Sequence, residues 1–185
     1  MKRFLESIFG NIPENEWLLF NGIAKTKQLR KGKDLHQVGK FCRHLWFLEK
    51  GAIKKYEYNC DVERTTKFYT DNTFFTDYHS VLTNKPSQIG FRAVEDCELQ
   101  AINYRELLKV YDQSHYLERI GRIMAERVFI QEYEDRRILL SFDAKKRYEY
   151  LLATNSLIFQ RFPLKDIASF LGVTPVSLSR LRKSR

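Results

Sequence analysis

Cysteine is scarce in this chain: there are three in 185 residues, Cys42, Cys60 and Cys97, 18 and 37 positions apart. An odd number at such spacing contains no C-x-x-C pair and no zinc-ligand pattern, and falls short of the about four thiolates of an iron–sulfur cluster. The thiols therefore read as structural. Histidines 36, 44, 79 and 115 are scattered and read as structural or surface residues rather than haem or metal ligands. No apolar run approaches the roughly 20 residues of a membrane-spanning helix. The opening Met-Lys-Arg-Phe-Leu-Glu meets Glu14 and Glu16 too soon for a signal peptide, so a cytoplasmic protein is expected. Internal repeats, low-complexity tracts, nucleophile motifs and phosphate-cradling glycine loops are all lacking. A non-enzyme without cofactor or metal is the expectation.

Acidic residues are the minority charge. Lysine and arginine total 32 against 23 aspartates and glutamates, a formal net charge of +9 that suits a polyanionic partner. The imbalance is uneven: residues 1–140 carry 23 basic against 20 acidic side chains, residues 141–185 nine against three.

That basic end carries the most informative stretch, Phe162 to Arg182. Ile167, Ala168, Leu171, Val173, Leu178 and Leu181 fall at helical spacing on both sides of a break at Gly172. Gly172 suits the left-handed end of one helix, and Thr174-Pro175 an N-cap and first turn of the next. Two short helices meeting at a tight turn form the helix-turn-helix pattern, with an ordinary helical corner as the alternative. Val176, Ser177, Ser179 and Arg180 point outward where a major-groove reader needs its side chains.

Upstream, residues 1 to about 22 read as short helical pieces. From Ala24 to about Asn103, turn signals recur every 8 to 12 or so residues between aromatic and β-branched segments: Leu45–Leu48, Ile53–Tyr58, Thr65–Tyr69, Ile89–Val94 and Leu99–Ile102. This spacing predicts an all-β sandwich or jelly roll. A short helix follows over Tyr104–Tyr111 and a long one from about Ser114 to Leu140, with Leu117, Ile120, Met124 and Val128 in one stripe. That stripe packs either against a second copy or on the sandwich. The fold expected is α+β, in three parts: a sensor β-domain with N-terminal helices over 1–113, a connecting dimerisation helix over 114–140, and a helix-turn-helix domain over 141–185.

In this order the parts resemble the Crp/Fnr family of bacterial transcription regulators. The most specific residues are Cys42-Arg-His-Leu-Trp-Phe-Leu-Glu-Lys-Gly51, like the family's strand-to-glycine turn, and Ile167 to Arg180. The resemblance implies a homodimer that binds two-fold-related double-stranded DNA and recruits or blocks RNA polymerase, under control of a small-molecule effector. Phe74-Phe-Thr-Asp-Tyr78 sits where cyclic-nucleotide binders of the family place their phosphate cassette. Their glutamate and arginine slots hold Thr76-Asp77 and Ser87-Gln88 here, with no basic residue. A buried phosphate would lack its charge-assisted partner, so binding of cyclic AMP in the family's way is not expected. Phe74, Phe75, Asp77, Tyr78, Ser87 and Gln88 are the candidate effector pocket, with plain core packing as the alternative for the aromatics.

The chain stops at Arg185, where many relatives continue into a β-hairpin wing, and Val176 stands where better-known relatives carry a glutamate. Val176 suits a thymine methyl but accepts no hydrogen bond from cytosine. Arg180 is expected on a guanine edge and Ser177 and Ser179 on bases or phosphates. Thr174 with the helix N-terminus would hold a phosphate, and Arg182, Lys183 and Arg185 would supply backbone charge. Two other readings suit the sequence less well. A cupin-type metalloenzyme needs a His-x-His pair, and no two histidines here lie closer than eight residues. A cyclic-nucleotide- or small-ligand-binding module acting on a protein partner leaves the basic helix pair unexplained.

Overall fold

A computed structural model describes residues 1–183, the side chain of Lys183 excepted. Two short helices, α1 (Lys2–Phe9) and α2 (Glu14–Asn21), precede β1 (Ala24–Leu29), β2 (Asp34–His36), β3 (His44–Lys50), β4 (Ile53–Asn59), β5 (Val62–Tyr69) and β6 (Thr73–Phe75). Helix α3 (Tyr78–Thr83) then leads to β7 (Ile89–Ala93) and β8 (Cys97–Asn103). Helices α4 (Tyr104–Gln113), α5 (His115–Ser141), α6 (Ala144–Thr154), α7 (Ile158–Arg161), α8 (Leu164–Leu171) and α9 (Pro175–Lys183) complete the chain.

The strands form two antiparallel four-stranded sheets, ordered β1-β8-β3-β6 and β2-β7-β4-β5, packed face to face as a jelly-roll sandwich. Trp46, Leu48, Cys97 and Leu99 of the first sheet meet Ile53, Tyr69, Phe91 and Ala93 of the second in one buried cluster. On β3 the run Leu45-Trp-Phe-Leu48 is apolar throughout because both faces are covered. Trp46 and Leu48 enter the sandwich, while Phe47 faces Phe4 of α1 at 5.4 Å and Phe74 of β6 at 4.6 Å. Gly90 is required on β7 because a Cβ there would lie 2.3 Å from the buried ring of Tyr56.

Helix α5 starts with Ser114 accepting from the Leu117 amide at 3.1 Å, an N-cap at the expected position. Its stripe divides in a way the periodicity did not reveal. Leu117 and Ile120 are buried in this chain's own cluster with Leu5, Ile12, Phe20, Leu107 and Val110, and Met124 packs beside them. Of the two coverings expected for the stripe, Leu117 and Ile120 take the sandwich: at this end the helix covers the outer face of its own first sheet. Farther on, Phe129, Ile130, Tyr133 and Leu140 are exposed, Phe129 at 72% and Leu140 at 77%.

Helices α6–α9 build a third cluster that also takes in Ala52 and Val94 from the sandwich. No helix among the described residues is long and apolar enough to cross a membrane.

Candidate functional site

The α8–α9 unit is assembled as its local sequence dictates. Gly172 ends α8 in the left-handed conformation, φ +69°, which lets the Val173 amide reach the Ala168 carbonyl at 3.0 Å. Pro175 opens α9, and Thr174 Oγ accepts from the Ser177 amide at 3.1 Å. Ile167, Ala168, Leu171 and Leu178 are buried between the helices and against α6 and α7, and Leu181 packs on the same cluster. The outer face of α9 presents Val176, 62% exposed, with Ser177, Arg180 and Arg182 also exposed, while Ser179 is half-buried. Thr174 is committed to the cap, its hydroxyl also lying 3.0 Å from Ser177 Oγ. Among the described residues neither Arg180 nor Arg182 forms an ion pair. The side chain of Lys183 and the whole of Arg185, both expected to add charge, lie outside the described residues.

A set of contacts invisible in sequence fixes this unit on the second sheet. Lys54 of β4 is buried and donates to Asp166 in the first turn of α8 and to Glu63 of β5, both at 2.7 Å. The Thr65 amide donates to Ser169 Oγ at 3.0 Å, and Phe68 packs on Phe162 at 4.5 Å and Phe170 at 5.2 Å. Arg161 spans Asp71 at 2.7 Å and Glu95 at 2.6 Å. Burial pushes the Asp71 carboxyl up, but Arg161 and the Gly51 amide outweigh it and hold it below its usual value. Lys54 and Asp166 stand 112 residues apart, so only the fold brings them together.

The six candidate effector residues separate. Phe75 is core, stacked on Tyr69 at 4.7 Å and Trp46 at 5.7 Å. Asp77 caps α3 through the Ser80 amide at 3.2 Å and takes a 2.5 Å bond from Ser87 Oγ. Gln88 is exposed. Phe74 and Tyr78, with the edge of Phe75, line a cavity of about 640 Å3 between β6, α1, α4 and α5, whose far wall includes Tyr111, Met124 and Val128. Gly121 lets α4 and α5 approach here, since a Cβ on it would fall 2.1 Å from the Tyr111 hydroxyl. Burial raises the pKa of both Tyr78 and Tyr111, keeping the phenols protonated.

Beside this cavity, Lys67 of β5 binds Glu132 and Asp135 of α5, each at 2.8 Å, and Lys55 reaches Glu132 at 3.5 Å. These pairs clip the long helix to the second sheet. Burial pulls the Lys67 ammonium down and pushes the Glu132 carboxyl up, but the pairing prevails in both, so Lys67 is raised and Glu132 lowered. Among the described residues no group of three or more His, Cys, Asp and Glu side chains is placed to hold a metal ion.

Eight antiparallel strands in two sheets, a short helix between β6 and β7, and helices after β8 make up the N-terminal part of the fold. Residues 26–114 match the cyclic nucleotide-binding domain family. The match runs from within β1 to the residue after α4. The chain is similar in fold to FixK2 from Bradyrhizobium japonicum, at 17% identity over 88% of this chain and 84% of that one, with a TM-score of 0.71. It is also similar to the c-di-GMP responsive global regulator CLP of Xanthomonas campestris (16%, 93% and 91%, TM-score 0.69). A third likeness is to the catabolite activator protein of Thermus thermophilus (22%, 98% and 85%, TM-score 0.60). At these identities the likeness is one of fold. No curated protein matches the chain in sequence.

Proposed function

We propose that this chain is a cytoplasmic, sequence-specific DNA-binding transcription regulator of the Crp/Fnr type, active as a homodimer. The work would divide among a sensor over 1–113, a connecting helix over 114–140 and a DNA reader over 141–185. The observation that carries the reading is the outer face of α9. Val176, Ser177, Arg180 and Arg182 are exposed on a helix whose inner side is locked by Leu178, in a segment with nine basic and three acidic residues. Arg180 is assigned to a guanine edge, Val176 to a thymine methyl, Ser177 and Ser179 to bases or phosphates, and Arg182 and Lys183 to phosphates. The capped N-terminus at Thr174 faces a phosphate with its free amides. Bound at a promoter, the dimer recruits or blocks RNA polymerase.

Dimerisation is assigned to the exposed part of α5. Phe129, Tyr133 and Leu140 are spaced by four and seven, a coiled-coil seam, and Ile130 flanks them. Two copies laid along this seam place their α9 helices as a two-fold pair.

Cyclic AMP is not the effector in the usual manner. At the phosphate-cassette position a buried carboxylate, Asp77, is tied to Ser87, and among the described residues it forms no ion pair; a phosphate monoanion there would meet a negative charge without a partner. Arg92 is already committed to Asp34 at 2.8 Å and Glu63 at 2.6 Å. Whatever ligand acts must shift the pose of α8–α9 through the contacts of β4, β5 and α5, and its effect is bounded by its differential affinity for the two poses. Selection of duplex DNA from a random pool tests the reading. A recovered palindrome with half-sites about one helical turn apart is expected, and no enrichment would refute it.

A further inference from the structure

Arg147 stands in the first turn of α6, and its Nη1 and Nη2 come within 3.7 Å of where a Cβ on Gly172 would sit, at the bend between α8 and α9. Three features set this guanidinium apart from an ordinary structural cation. First, it has no partner: it forms no hydrogen bond or ion pair among the described residues, and its Nε is buried. A buried donor left unpaired works against the fold. The carbonyl end of α8 lies beside it, yet Arg147 donates to none of those oxygens. Second, Arg147 follows Lys145 and Lys146, both exposed and both without an ion pair among the described residues. Three consecutive cations thus occupy the N-terminal turn of α6, the end of a helix that disfavours positive charge. Third, the three acidic residues of 141–185 do not neutralise them. Asp143 caps α6 by accepting from the Lys146 amide at 2.8 Å, Asp166 is bound to Lys54, and Glu149 forms no ion pair among the described residues.

We infer that Arg147 is a phosphate contact of the DNA-bound chain, with Lys145 and Lys146 adding charge beside it. This rests on the DNA-binding reading and extends the interface from α9 to α6. The free amides at the start of α9 suit a phosphate, and Gly172 lies only two residues before the Thr174 cap, so Arg147 brings a full positive charge to the same bend. Its Nη1 and Nη2 are the groups that would bind. Only Nε is both buried and unpaired, so these two nitrogens keep accessible surface, and their fixed fork matches two oxygens of one phosphate. A contact of this kind carries no sequence information: Arg147 adds affinity and sets the register, while α9 reads the bases.

The test compares the native full chain with Arg147→Met and Arg147→Lys by fluorescence anisotropy, on a selected site and on random duplex DNA over a series of salt concentrations, with thermal melting of each protein alone. Arg147→Met removes the unpaired buried donor and keeps the apolar stem, so it should melt no lower than the native chain. It should bind both DNAs roughly five- to tenfold more weakly at about 0.1 M salt, with the slope of log K against log salt smaller by about one. Arg147→Lys keeps the charge and should restore most of the slope. An unchanged slope in Arg147→Met overturns the inference, and a lower melting temperature with that unchanged slope makes Arg147 a support for the end of α8. A loss confined to the selected site overturns it too, making Arg147 a base contact. A native chain that binds neither DNA removes the DNA-binding reading and this inference together, whereas native binding with an unchanged slope in the variant removes this inference alone.

Discussion

Lys54 is the residue on which the pose of the α8–α9 unit turns. It sits on β4, is almost wholly removed from water, and divides its ammonium between Asp166 of α8 and Glu63 of β5. An ion pair this buried adds little net stability over an apolar pair of the same size, but losing one partner strands the other. Replacing Lys54 with Met leaves the Asp166 carboxylate without its cation and is expected to cost about 3–5 kcal/mol in urea unfolding. The double variant Lys54→Met/Asp166→Leu should recover most of that loss; a double variant as unstable as the single one would show that the pair does not act as a unit. None of this was visible in the sequence, where Lys54 belongs to an alternating strand with one wet face and Asp166 to the start of a helix. The imperfect alternation of Ile53, Tyr56 and Tyr58 with Lys54, Lys55 and Glu57 marks one wet face, but not that α8 covers Lys54. The histidines make the same point: His36 and His44 stand eight residues apart and look scattered, yet β2 and β3 bring them to one cavity from opposite sheets.

Among the elements, legibility followed burial. The strands rich in aromatic and β-branched residues, β3, β4, β5, β7 and β8, were named from the sequence because the half-buried pleat selects those side chains. The edge strand β1, Ala-Lys-Thr-Lys-Gln-Leu, and the three-residue β2 were not named singly, since edges are kept short and charged to discourage pairing. The α8–α9 turn was fully readable because Gly172, Thr174 and Pro175 each have a local conformational role. The periodicity of α5 marked its apolar stripe but not what covers it, and the first half proved to belong to the chain's own core. The exposed second half makes the prediction for this element. Ile130→Glu with Tyr133→Glu should yield a monomer by sedimentation velocity with the helix content unchanged; a variant that still sediments as a dimer would move the interface elsewhere. The clip between α5 and the second sheet makes another, in pH. Glu132 is depressed below its usual 4.5, so its contribution is present above that value and lost as pH falls through the lower folded one. Lys67 is raised above 10.5, so its contribution holds below that value and is lost as pH rises through the higher folded one. The stability gap between the native chain and Lys67→Met should be full at pH 7 and close as pH falls below 4.5; a gap that does not change with acid would contradict the clip.

For the whole molecule, the net charge of +9 and the basic terminal segment point to a polyanionic partner, because polyanion attraction is a property of summed charge. Sequence reading could not give the closed state of the candidate effector region, since only the folded chain ties Asp77 to Ser87 and turns Phe75 into the core. The assembled molecule is a β-sandwich whose second sheet is joined to α8 by one ion pair and to α5 by another set, so that strain in β4 and β5 reaches both α8 and α5. The central claim is that α9 reads bases, and the most direct measurement is fluorescence anisotropy of native protein and Arg180→Ala on a selected site and on random DNA at one fixed salt concentration. The account predicts a loss of about 1–3 kcal/mol on the selected site with binding to random DNA nearly unchanged. Equal losses on both DNAs would make Arg180 a phosphate contact and contradict it.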